Sequence, residues 1–156
     1  MRADGRRKSG RAPVEIAEFA QGRLRVFCRI GRLYVKRLDA LATRTREQIG
    51  ASAGRVPRAD LLRALILPGL DLAIQQAHAP AISDGFEVRL PYELTPQELD
   101  RLEHYRRSVW SYSATRPARE KAHGALVRLA LLVAETEERF LMDTLVPLLL
   151  LARDRT

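Results

Sequence analysis

A single cysteine, Cys28, among 156 residues excludes an internal disulfide and any zinc site built on cysteine pairs. The three histidines, His78, His104 and His123, are scattered without ligand spacing, so no metal centre is expected. No uninterrupted apolar run approaches the roughly 20 residues of a membrane-spanning helix; the nearest is LVPLLLLA at 145–152. The opening MRADGRRKSGRAP carries charge with no apolar stretch behind it, which is not the pattern of a secretory signal. A cytoplasmic location away from membranes is therefore expected. Catalytic signatures are missing as well. ASAG at 51–54 lacks the lysine and hydroxyl of a phosphate-binding loop, there is no nucleophile elbow, and no histidine cluster accompanies Tyr34, Tyr92, Tyr105 or Tyr112. Neither an enzyme nor a cofactor is expected.

What is plentiful is positive charge, and it is uneven. Residues 1–58 hold 15 Lys/Arg against 5 Asp/Glu, whereas residues 59–156 hold 12 against 14, within a net charge of +8. Of the 27 basic residues 24 are arginine. Arginine's planar fork suits phosphate and guanine edges, although a GC-rich coding sequence produces the same bias.

Residues 1–13 contain almost nothing apolar and are expected to form a disordered basic arm. A short helix is possible near PVEIAEFA. From 22 to 30 the pattern alternates, with Leu24, Val26, Cys28 and Ile30 to one side and Arg23, Arg25, Phe27 and Arg29 to the other, which predicts a half-buried strand. After Gly31 the apolar spacing changes to threes and fours through Leu38, Leu41, Thr45 and Ile49, a helical face; a strand at RLYVKRL is the alternative. GRVPRADLLRALI opens a second helix, with Pro57 early and Asp60 in the first turn, where a negative charge suits the helix dipole. Pro68 and Gly69 predict a break or kink before LDLAIQQA.

The same order then returns. After a linker at 78–85, FEVRLP (86–91) alternates Phe86, Val88 and Leu90 against Glu87 and Arg89. TPQELDRLEHYRRSVW starts a helix with Thr95 as cap, Pro96 first and Glu98 three residues on, a capping box. SATRPAREKAHGALVRLALLVAE supplies the next helix. Strand, helix, helix therefore occurs twice at similar spacing, an internal architectural repeat: repeat 1 at about 22–77, repeat 2 at about 86–136, and a closing helix at 137–156 that packs on the domain and bends at Pro147.

A lone short strand leaves its backbone groups unpaired. Two copies resolve this by pairing antiparallel, apolar rows down on the helices and Arg23, Arg25, Phe27, Arg29, Glu87 and Arg89 toward solvent. Such a ribbon fits the major groove of duplex DNA, where arginine reads guanine and Glu87 can accept from cytosine or steer a neighbouring arginine. Trp110, with Tyr105 nearby, is expected in the core, and Arg106 and Arg107 on a solvent face.

These segments resemble the ribbon-helix-helix DNA-binding proteins. LRVFCRI, RADLLRALILPGLDLAI and ATRPAREKAHGALVRLALL together resemble the tandem, single-chain members of the VirC-operon type that assist T-DNA and conjugative transfer. The likeness covers roughly residues 23–135. It implies a mainly α fold with a two-stranded antiparallel ribbon, a tandem ribbon-helix-helix pseudo-dimer in one chain at 14–136. It also implies a phosphate held at the start of each second helix, beside Arg55 and Arg58 in one half and Thr115, Arg116 and Arg119 in the other. Double-stranded DNA is then the expected partner, with a relaxase or other transfer proteins beside it and further assembly on DNA. The alternatives are a transcriptional or partition regulator on the same fold, and a helical protein-interaction adaptor.

Overall fold

The computed structural model describes residues 22–50, 54–76, 85–110 and 118–154. The basic arm, the PVEIAEFA segment, nearly all of the 78–85 linker, Tyr112, Thr115 and Arg116 lie outside the described residues. The elements run β1 (Leu24–Ile30), α1 (Arg32–Ile49), α2 (Arg58–Gln75), β2 (Val88–Leu94), α3 (Pro96–Trp110), α4 (Arg119–Thr136), α5 (Glu138–Phe140), a π-helical turn (Leu141–Leu145) and α6 (Val146–Asp154). The described residues are mainly helical, with one two-stranded antiparallel sheet among them. Among the described residues no helix is long and apolar enough to cross a membrane.

The alternation of β1 has the consequence its period requires. Cys28 and Ile30 are fully buried, and from β2 Leu90, Tyr92 and Leu94 join them beneath the ribbon. β1 and β2 pair in a register centred on Phe27 opposite Pro91, with Leu24 facing Leu94 and Ile30 facing Val88. Strand β2 thus begins two residues later than the sequence pattern predicts and continues through Pro91. A two-stranded ribbon is all edge, so the missing proline N–H is tolerated there.

Helix α2 crosses α4 beneath the ribbon. The crossing falls at Gly69, where an added Cβ would lie 2.7 Å from the Cβ of Ala130. Gly69 and Ala130 are each the twelfth residue of their helix. Gly124 plays a similar part between α4 and β1: a Cβ there would sit 1.7 Å from the Arg29 carbonyl oxygen, so only glycine permits this approach.

The break allowed for at Pro68 does not occur, and the bend expected at Pro147 has a π-helical turn just ahead of it. Helix α2 runs unbroken through Pro68. Leu61, Leu62, Leu65, Ile66 and Leu70 are each essentially fully buried, worth about 1.5–3 kcal/mol apiece, which outweighs the roughly 3 kcal/mol that an interior proline costs. At the C-terminus the distortion precedes Pro147. Val146 donates its N–H to the Leu141 carbonyl, closing a π-turn just before the proline whose ring and missing N–H disrupt the α-helical ladder. The strand alternative at RLYVKRL is overturned, because those residues lie within α1. Trp110 and Tyr105 are half-buried against the core.

Candidate nucleic-acid interface

The outward face of the ribbon carries Arg25 opposite Glu93, Phe27 opposite Pro91 and Arg29 opposite Arg89. Arg25, Arg89 and Pro91 are exposed, while Arg23, Phe27, Arg29 and Glu93 are half-buried. The guanidinium row does face away from the core, but carboxylates accompany it. Arg23 lies 3.6 Å from Glu93, and one carboxylate from the first turn of α4, Glu120, takes both Arg29 and Arg89.

That three-residue cluster is well defined. Arg89 donates from Nε and Nη2 to the two Glu120 oxygens at 2.9 and 2.8 Å, and Arg29 donates from Nε at 3.2 Å. The Arg89 guanidinium also lies 3.5 Å from the centroid of the Phe27 ring, a cation–π contact. Bonding to Arg89, with its charge and Arg29 adding to it against partial burial, holds the Glu120 carboxyl below the ordinary glutamate range.

At the other end of the ribbon the matching positions are filled differently. Arg25 and Arg89 are each the second residue of their strand, and Arg29 and Glu93 each the sixth. Glu120 is the second residue of α4, and Ala59 holds that place in α2. The carboxylates near Arg25 therefore come from Glu93 on the partner strand and Asp60 on the helix, which line a shallow pocket with it. Beside it a groove of about 620 Å³ runs between α1, the start of α2 and β2, with Arg46, Arg55 and Arg58 on its wall.

The helix starts divide by kind. α3 has both bonds of the predicted capping box: the Glu98 amide donates to Thr95 Oγ1 at 3.2 Å and the Thr95 amide to Glu98 Oε1 at 2.8 Å. At α1 the Arg32 amide donates to Glu87 at 2.9 Å, and this bond lowers the Glu87 carboxyl pKa. Glu87, expected on the reading face, lies ahead of β2 and caps α1 instead. The second helices of each half follow Pro57 and Ala118 at the cap position, whose side chains cannot accept a hydrogen bond, and neither makes one.

Two ion pairs also occupy matching places. Asp39, eighth in α1, accepts from Arg58 Nε and Nη2 at 2.7 and 2.8 Å. Glu103, eighth in α3, lies 2.8 Å from Arg119. Arg58 and Arg119 each open their helix, so these two of the five residues expected at phosphates are tied to a carboxylate, while Arg55 is exposed. The pairs differ in depth. Asp39 and Arg58 side chains are both 47% exposed, whereas Glu103 is 10% exposed and also binds His123, whose Nε2–H donates at 2.8 Å, and Arg106. Burial pushes the Glu103 carboxyl up, but His123 and Arg106, helped by Arg119, bring it down to about 2. Cys28, buried on the inner face of β1, is pushed up to about 12 by burial, with the Glu120 charge adding to it.

Sequence reasoning missed Glu120, Glu93 and Glu103. Aligning the repeats by the first residue of each helix would have placed Glu103 beside Asp39, but nothing in the local pattern marks a glutamate that reaches another element. Among the described residues no group of three or more His, Cys, Asp or Glu could hold a metal ion. Comparison with protein-family models, curated proteins and solved structures gave no match for this chain.

Proposed function

We propose that this chain is a single-chain ribbon-helix-helix pseudo-dimer that binds double-stranded DNA by laying β1 and β2 in the major groove. One observation carries the reading: strands from the two halves pair antiparallel about a central Phe27–Pro91 position, arginine-bearing face outward. The crossing at Gly69 and Ala130, the matched Asp39–Arg58 and Glu103–Arg119 pairs, and the starts of α2 and α4, where neither Pro57 nor Ala118 makes a side-chain cap, support it. Those two starts, with Arg55 and the Arg58 and Arg119 pairs beside them, suit adjacent phosphates. Following the family resemblance, the role is that of an accessory factor in conjugative or T-DNA transfer, working at an origin or border beside a relaxase.

Gel retardation on duplex DNA over a series of salt concentrations tests this. If about six phosphates are neutralised, the log–log salt slope is roughly −5. Absence of retardation by micromolar protein at low salt sinks the proposal. It would favour the adaptor reading, for which Met142, Leu148, Leu150 and Leu151, exposed along the C-terminal segment, are the supporting observation.

A further inference from the structure

We propose that Glu120 is a positioning residue that fixes Arg29 and Arg89 as a paired reading head for two successive guanines at the α4 end of the ribbon. The inference rests on the DNA-binding reading above and gives it a base preference and a polarity. Arg29 and Arg89 face each other across the ribbon, so their charges repel unless a carboxylate lies between them. Glu120 fills that place and engages the Nε side of both guanidinium groups. The Nη1–Nη2 edge, which a carboxylate on the Nε side does not cover, is the edge that can fork to guanine O6 and N7. Phe27 supports Arg89 from its flat face, so the long side chain meets the groove with fewer rotamers left to lose.

A merely structural ion pair explains this less well. The Arg29, Glu120 and Arg89 side chains are 40%, 31% and 45% exposed, and pairs in such positions add little to folding. Two cations on one anion also leave the cluster positive and facing outward. At the far end, with Arg25 opposite Glu93 and Ala59 in the helix, this head is missing, so the guanine step belongs to one end of the site.

The test is selection from a random duplex library, followed by competition binding, with the wild-type chain and E120Q. The wild type is expected to enrich a guanine pair at one end of its site. E120Q, which removes a negative charge and frees both arginines, is expected to bind random duplex several-fold more tightly. Its preference for the guanine pair should fall about tenfold or more, with its melting temperature nearly unchanged. A59E/E93R, which builds the same trio at the α2 end, is expected to gain a second guanine preference there. E120Q tightening on all duplexes with the guanine preference intact overturns the assignment while leaving DNA binding standing, as does a folded A59E/E93R without the new preference. A wild-type chain that retards no duplex overturns both proposals together.

Discussion

Where the ribbon meets α4, an arginine pair is bound by a glutamate from the helix; where it meets α2, an arginine faces a glutamate on the opposite strand and the helix offers alanine. The two ends share backbone positions and differ in where the negative charge is kept. In a ribbon made by two identical chains every such difference would be duplicated, and both ends would present the same groups. Joining the halves in one chain removes that constraint. The same divergence runs inward, since Gly124 lies sixth in α4 where Arg63 lies sixth in α2, and His123 fifth where Leu62 is fifth.

The sharpest way to break this comparison is at the sixth helix position. G124A sets a methyl group against the backbone oxygen of Arg29, which neither strand nor helix can yield easily, and should cost about 3 kcal/mol. R63A at the other end removes a half-buried partner of Glu98 and should cost about 1 kcal/mol or less. Urea unfolding of both variants measures the contrast.

A second contrast lies between the two carboxylates that tie first helix to second. E103A leaves His123, Arg106 and Arg119 without their shared acceptor and should cost about 3 kcal/mol, against roughly 0.5 kcal/mol for D39A. Acid sharpens it. The Glu103 pKa is lowered on folding from 4.5 to about 2, so its contribution is present above about 4.5 and is lost as pH falls through that window. Wild-type stability should therefore fall between about pH 4.5 and 2, and E103Q should fall less over the same range when both are followed by thermal melts.

Smaller effects are expected on DNA. R89A should lose about 1–3 kcal/mol on a selected site and relax its base preference, whereas R58A should weaken all sequences alike by about 1 kcal/mol and reduce the salt slope by about 1. Competition titrations with selected and random duplexes separate the two. Equal losses for R89A on every duplex would deny the ribbon a reading role.

The parts of this fold that depend on local pattern were readable from the sequence. Alternation from Leu24 to Ile30 marked β1, and Thr95 with Glu98 marked the start of α3 down to both hydrogen bonds. Elements whose form depends on tertiary burial were not. Pro68 stays inside a helix because the leucines around it are buried, and β2 passes through Pro91 because a two-stranded ribbon leaves that edge unpaired. The outward direction of Arg25, Arg29 and Arg89 followed from period two, but their carboxylate partners come from elsewhere: Glu120 lies 91 residues from Arg29 and 31 from Arg89. Charge counts along the chain do not encode such pairings, and Glu87 turned out to serve a helix start for the same reason.

Because β1 and β2 belong to one polypeptide, their pairing is a unimolecular event, insensitive to dilution. A ribbon assembled from separate subunits melts away as the protein becomes scarce and can exchange halves with related chains in the same cell. Here a single molecule carries the whole ribbon at any abundance, and its two unlike ends stay together through every round of unfolding and refolding.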